Sequence, residues 1–129
     1  MTELHGHDWK IDLPAHWEVE EDEDSTIIYE EDGVGALQIS GLVAEQDVTD
    51  GDLREFAAEH LAAGARAEAV ELGEFSGFTF SYTEDDEHWR EWYLRTGPVA
   101  LFVTYNCDLE DRGVEDEAME QVLGTLSRA

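Results

Sequence analysis

The sequence predicts an α+β fold: a single antiparallel β-sheet of six to seven strands flanked by two helices. Three observations predict it. Residues 87–107 alternate like two paired strands around the turn Thr96-Gly97-Pro98. Shorter alternating stretches precede them, separated by acidic and Asp-Gly turns. Two further segments, near 49–64 and 118–126, repeat apolar residues at helical spacing.

In chain order, Trp9 to Leu13 alternates as a short strand that Pro14 ends, and the chain resumes at His16-Trp17-Glu18-Val19-Glu20. The acidic run 20–24 makes a turn into the strand Thr26 to Glu30. Asp32-Gly33 turns again into residues 36–40, so the opening reads as an antiparallel meander. Thr49 or Asp52 caps the first helix, and Asp52 with Glu55 has capping-box-like spacing. Leu53, Phe56, Ala57, His60 and Leu61 then form one apolar stripe that Gly64 stops. Residues 69–72 are a weak strand. Phe78, Phe80 and Tyr82 fall on one face of the next.

The 87–107 hairpin is the centre of the fold. With the loop at Gly97-Pro98, Trp92 and Leu94 share a face with Leu101, Val103 and Tyr105. Trp89, Tyr93 and Phe102 fall on the other, mixed with Glu91, Arg95, Thr104 and Asn106. Two usable faces imply a sheet packed on both sides. Ala118, Met119, Val122, Leu123 and Leu126 lay out a second amphipathic helix running to the C-terminus. No internal repeat or linker divides the chain, so residues 1–129 read as one domain.

Charge dominates the composition. Thirty-three Asp and Glu face seven Lys and Arg, a formal net charge of −26. On a ball of roughly 18 Å radius, this gives a self-repulsion of roughly 30 kcal/mol at 0.1 M salt and roughly 10 at 1 M. Even a third of that difference rivals a normal stability of ~5–15 kcal/mol. The composition therefore reads as adaptation to a salt-rich cytoplasm. One cysteine, Cys107, excludes an internal disulfide and points to a reducing interior. No residue run has the pattern of a signal peptide or the ~20-residue length of a membrane span. Clustered Lys and Arg are lacking, which argues against direct nucleic-acid binding.

Several stretches, together covering most of the chain, carry a fold-level resemblance. Ile11-Asp12-Leu13-Pro14-Ala15-His16-Trp17 resembles the strand, Leu-Pro, small residue and Trp that open a known family of domains. Residues 49–56 resemble the start of that family's first helix. Gly77-Phe78, residues 89–94 and residues 102–106 resemble its central strands. The family is the sandwich superfamily of the PsbP-type photosystem proteins and the Mog-type Ran-binding proteins. The resemblance implies an antiparallel sheet with a helix on each face. It also implies binding to other macromolecules, and it brings no catalytic residues with it.

Motifs for chemistry are few. His5-Gly6-His7-Asp8 offers two imidazoles and a carboxylate, but no further zinc-type motif accompanies it. A calcium loop fails on spacing: counted from Asp22 the sixth residue is Ile27, and from Asp47 the third and fifth are Thr49 and Gly51. Gly33-Val34-Gly35 precedes a strand instead of a helix, so it reads as a turn and not as a pyrophosphate cradle. In the hairpin register His88 lies across from Cys107, the one near-catalytic pairing; a buried small thiol is the simpler reading. His60, on the helical stripe, reads as a core-edge residue.

These readings combine into a non-catalytic, protein-recognising binding module in a salt-adapted cytoplasm. Trp89, Tyr93 and Phe102 are its candidate partner-binding patch unless a helix covers them. No residue is assigned to catalysis, a cofactor or a metal. The partner expected is another protein, with a homodimer compatible, and neither a membrane nor nucleic acid. Two alternatives stand: an acidic immunity-type or nucleic-acid-mimicking inhibitor of a basic partner, and a small enzyme or ligand-binding domain using His88 and Cys107.

Overall fold

The computed structural model describes residues 2–129. Five strands open the chain: β1 (Thr2–His5), β2 (Trp9–Leu13), β3 (Trp17–Glu21), β4 (Thr26–Glu30) and β5 (Gly35–Val43). Two short helices follow, α1 (Asp50–Phe56) and α2 (Ala58–Ala62). Then come β6 (Glu68–Leu72), β7 (Phe75–Glu84), β8 (Glu87–Thr96) and β9 (Val99–Asp108). The chain closes with a 3-10 turn (Leu109–Asp111), α3 (Asp116–Leu123) and β10 (Ser127–Arg128). Seven strands form one antiparallel sheet in the order β3-β4-β5-β9-β8-β7-β6. The α+β class holds, with most of the regular structure in strands.

The central hairpin has the register its sequence predicts. Thr96 pairs with Val99, leaving Gly97-Pro98 as the loop, and Trp92, Tyr93 and Leu94 pair with Val103, Phe102 and Leu101. Because neighbouring residues of a strand point to opposite faces, the sheet supports two separate cores. One holds Trp92, Leu94, Leu101, Val103 and Tyr105, with Ile11 and Leu13 of β2 and Met119, Val122 and Leu123 of α3. The other holds Phe78, Phe80, Tyr93 and Ala100, with Val48, Leu53 and Ala57.

Several details differ from the sequence reading. The sheet is not single: β2 leaves the expected meander and joins a second, three-stranded sheet in the order β1-β2-β10. Pro14 has no N–H to continue a ladder, and His16 turns the chain through a positive φ of 73°. The residues before Trp9, given no element from the sequence, form β1, with His5 paired to Lys10. The second helix stops at Leu123 instead of reaching the C-terminus. There the Thr125 hydroxyl donates to the Val122 carbonyl (2.7 Å) and accepts from the Asp12 amide (2.9 Å), turning the chain so that Ser127–Arg128 pairs with β2.

The first helix is broken at Ala57. Its capping box uses Thr49 with Asp52, the Thr49 hydroxyl accepting from the Asp52 amide (3.1 Å) and the Asp52 carboxylate from the Thr49 amide (3.0 Å). Leu53 and Ala57 are buried, but Phe56 is 52% exposed. The stripe is thus narrower than its spacing suggested. Among the described residues no helix is long and apolar enough to cross a membrane.

Candidate functional site

The face of the large sheet that carries Phe78, Phe80 and Tyr93 is covered at one end only. The register lays its residues out in rows across the strands. Phe78, Tyr93, Phe102 and Ser40 form one row, and Phe80, Glu91, Thr104, Gln38 and Ile27 the next. Tyr82, Trp89, Asn106 and Ala36 form a third. The first row packs against Leu53, Ala57 and Phe56, whose ring meets Phe102 edge-on at 5.1 Å. Phe80 and Glu91 of the second row are still buried, and beyond them cover thins: Trp89, Tyr82, Thr104, Asn106, Ala36 and Ile27 are half-buried and Gln38 is exposed. Two helices with only twelve residues between them (seven and five) cannot span a seven-stranded sheet.

The open area is therefore flat, mixed and partly aromatic. Tyr82 and Trp89 stack with ring centroids 6.4 Å apart and planes 6° from parallel. The Asn106 amide donates to Glu87 (3.1 Å) and the Gln38 amide to Ser25 (3.0 Å). The Tyr29 hydroxyl donates to Glu20 at 3.2 Å on the far strands. The three aromatics read from the sequence as a patch are split by the fold. Tyr93 and Phe102 meet at 5.7 Å with their planes near perpendicular, and Tyr93 is buried. Trp89 lies apart on the open area, where its partner is Tyr82.

Between the covered and open areas sits a carboxylate that sequence reasoning did not single out. Glu91 is buried. It accepts from the Tyr82 hydroxyl at 2.5 Å and the Tyr93 hydroxyl at 2.8 Å, and His60 Nε2 of α2 lies 3.4 Å away. The His60 ring stacks on Tyr82 at 4.8 Å. Burial, and then the hydrogen bond to Glu91, push both phenols well above their ordinary value, so they remain donors. With its oxygens engaged by these donors, Glu91 is poorly placed to act as a base. It ties α2 to the sheet. One carboxylate among thirty-three has no sequence signal; the alternation of Phe78, Phe80 and Tyr82 opposite it is the only hint.

His88 does pair with Cys107 across the strands, and both are buried, 7% and 4% exposed. Burial pulls His88 down and pushes the Cys107 thiol up, and both shifts oppose a thiolate–imidazolium pair. Cys107 in the folded protein is accordingly expected to react slowly with an alkylating agent, with Cys107→Ser leaving partner binding unchanged. Rapid labelling near neutral pH, abolished by His88→Ala, would restore a nucleophile.

His5, His7 and Asp8 line a cavity of about 460 Å³ opposite the acidic β3–β4 turn, floored by Ile39 and Leu101. They do not converge. The metal-type group whose ligand atoms all lie within 4.8 Å of one another, among the described residues, is Asp108, Glu110 and Asp111 on the 3-10 turn, and two of these three are exposed. In so acidic a chain such a grouping needs no ion to explain it. Gly33 lies in the turn, as read, while Gly35 already begins β5, paired with Cys107, and both have an added role in packing. A Cβ on Gly35 would stand 2.5 Å from the Asn106 carbonyl and 2.7 Å from the Tyr105 ring, and one on Gly33 would stand 2.5 Å from Glu115. Glu115 is buried and accepts from the Tyr105 hydroxyl at 2.7 Å, a second tyrosine-held carboxylate.

No protein-family model matches the chain, and no curated protein matches it. Solved structures do. A protein from Bacteroides thetaiotaomicron VPI-5482 superposes with a TM-score of 0.69 at 20% identity over 94% of this chain, which spans 45% of that protein's length. LpqN of Mycobacterium tuberculosis, involved in cell envelope biogenesis, superposes with a TM-score of 0.68 at 14% identity over 99% of this chain and 90% of its own. At such identities the likeness is one of fold.

Proposed function

We propose that this chain is a non-catalytic binding module that recognises another protein through the open half of its large sheet. The observation that carries the reading is the Tyr82–Trp89 stack, half-exposed on a flat face beside the Asn106 and Gln38 amides. Aromatic anchors among hydrogen-bonding groups are what the centres of protein interfaces are made of. Membership of the PsbP/Mog-like sandwich superfamily is part of the same reading. It is supported by the order of strands, helix, strands and helix, and by a core on each face of the sheet. A salt-adapted cytoplasm is the setting we infer, from the composition and the lone, buried Cys107.

The acidic decoy is the weaker reading. The carboxylates at residues 30–32, 84–87 and 108–111 lie at one end of the sheet, and those at 21–24 lie at the other. That spread favours a solvating surface over a single acidic face. LpqN's link to the cell envelope belongs to that protein and leaves this chain's compartment to experiment.

Affinity capture from native extract at high salt, repeated with variants, tests the proposal. The wild type is expected to hold a protein partner that Trp89→Ala binds about tenfold or more weakly. Gln38→Arg is an exposed change on the same face that leaves the core intact, and it should weaken the same partner. A partner held equally by both variants would move the site off this face, and a wild type that holds none would end the binding-module reading.

A further inference from the structure

Arginine is scarce here, with six in the chain, yet two of them line one cavity. It measures about 410 Å³ and opens between the loop after α2 and strands β7 and β8, with Arg66 and Arg90 in its wall. Like charges brought to one hollow repel each other unless an opposite charge stands between them. Carboxylates are abundant in this chain, but the fold does not supply one closely. Among the described residues Arg66 has no carboxylate within 4.0 Å, and Arg90 reaches only the exposed Glu120, at 4.0 Å. By contrast Arg95 pairs with Asp50 at 3.2 Å.

Arg90 is also held in position. Its guanidinium lies 4.7 Å over the Trp92 ring, its Nε donates to the Thr79 hydroxyl at 3.2 Å, and the side chain is 18% exposed. That leaves its terminal amino groups as the available part of a planar, fixed fork, the geometry that suits a carboxylate or a phosphate. The Thr79 hydroxyl is already committed, accepting from Arg90 and donating to the Glu91 carbonyl at 2.8 Å. Ser81, directly across from Arg90, adds a hydroxyl to the same wall. Glu68 lines the cavity too. With Glu120 at 4.0 Å from Arg90, two carboxylates stand near two guanidiniums, yet among the described residues none comes within 4.0 Å of Arg66, so the guanidinium N–H groups are left to meet an oxyanion at contact.

The geometry points to an oxyanion-binding site between Arg66 and Arg90, taking the carboxylate or phosphate group of a small molecule. The cavity volume lies in the range of small-molecule sites and leaves room for an organic body beyond the anionic group. The overall charge of −26 repels anions at long range, so attraction at this site acts at contact. The site is separate from the open aromatic face and stands or falls independently of it.

The test follows the arginine side-chain Nε–H signals of the full chain by NMR during separate titrations with inorganic phosphate and with acetate, at constant high ionic strength. Saturable shifts at Arg90 and Arg66, with Arg54 on α1 unmoved, are expected for at least one anion, and which anion acts identifies the group recognised. Arg66 is exposed, so Arg66→Gln should keep the fold while weakening binding about tenfold or more. Linear, unsaturating shifts at all arginines alike, or unchanged affinity in Arg66→Gln, would overturn the site.

Discussion

The melting temperature of this protein is expected to climb steeply as salt rises from ~0.1 to ~1 M and more gently above, because the screening length falls from ~10 to ~3 Å. The structure strengthens the argument made from composition. Folding neutralises few of the thirty-three carboxylates: among the described residues only Arg90 and Arg95 form arginine–carboxylate pairs, at 4.0 and 3.2 Å. The acidic turns at both ends of the sheet are mostly exposed, and among the described residues none of their carboxylates pairs with a lysine or arginine. Repulsion therefore acts on the folded state almost undiminished, and screening is what relieves it. Sodium and potassium chloride should act alike, since no cage of specific ligands is involved. Thermal melts in both salts check this, and a flat melting temperature from ~0.1 to ~2 M would remove the repulsion argument.

Trp92→Ala is expected to destabilise the fold by ~3–5 kcal/mol, the range for a large aromatic truncated in a core. Trp92 is 1% exposed at the middle of β8, between Thr79 on one side and Val103 on the other. Its loss also removes the ring under the Arg90 guanidinium. Thr104→Ala lies one strand away on the open face and should cost no more than ~0.5 kcal/mol. Denaturant melts at high salt, where charge repulsion is screened, make the comparison. Equal, small effects would mean that the faces of the hairpin are assigned wrongly.

Much of this fold was legible in the residue order. The side-chain period of a strand is two, so the alternation along 87–107 settled which residues face together. The short Gly97-Pro98 loop then left one register. His88 opposite Cys107 followed from the same count. Thr49 and Gly64 marked the ends of the helical region because capping is a local matter of nearby amides and carbonyls.

What the tertiary structure alone decided depends on partners distant in the chain. Trp9–Leu13 reads as a strand, yet nothing in it says that Thr2–His5 and Ser127–Arg128 flank it instead of β3, since backbone ladders carry little partner identity. The helical stripe of residues 53–61 indicated a covered face. How much of the sheet it covers depends on helix length against sheet width, and that left Trp89 open while Tyr93 is buried and Phe102 packs against Phe56. Glu91 and Glu115 are chemically identical to their exposed neighbours in sequence. Only the tyrosines that the fold brings to them, Tyr82, Tyr93 and Tyr105, explain why two carboxylates lie buried in a chain so rich in charge.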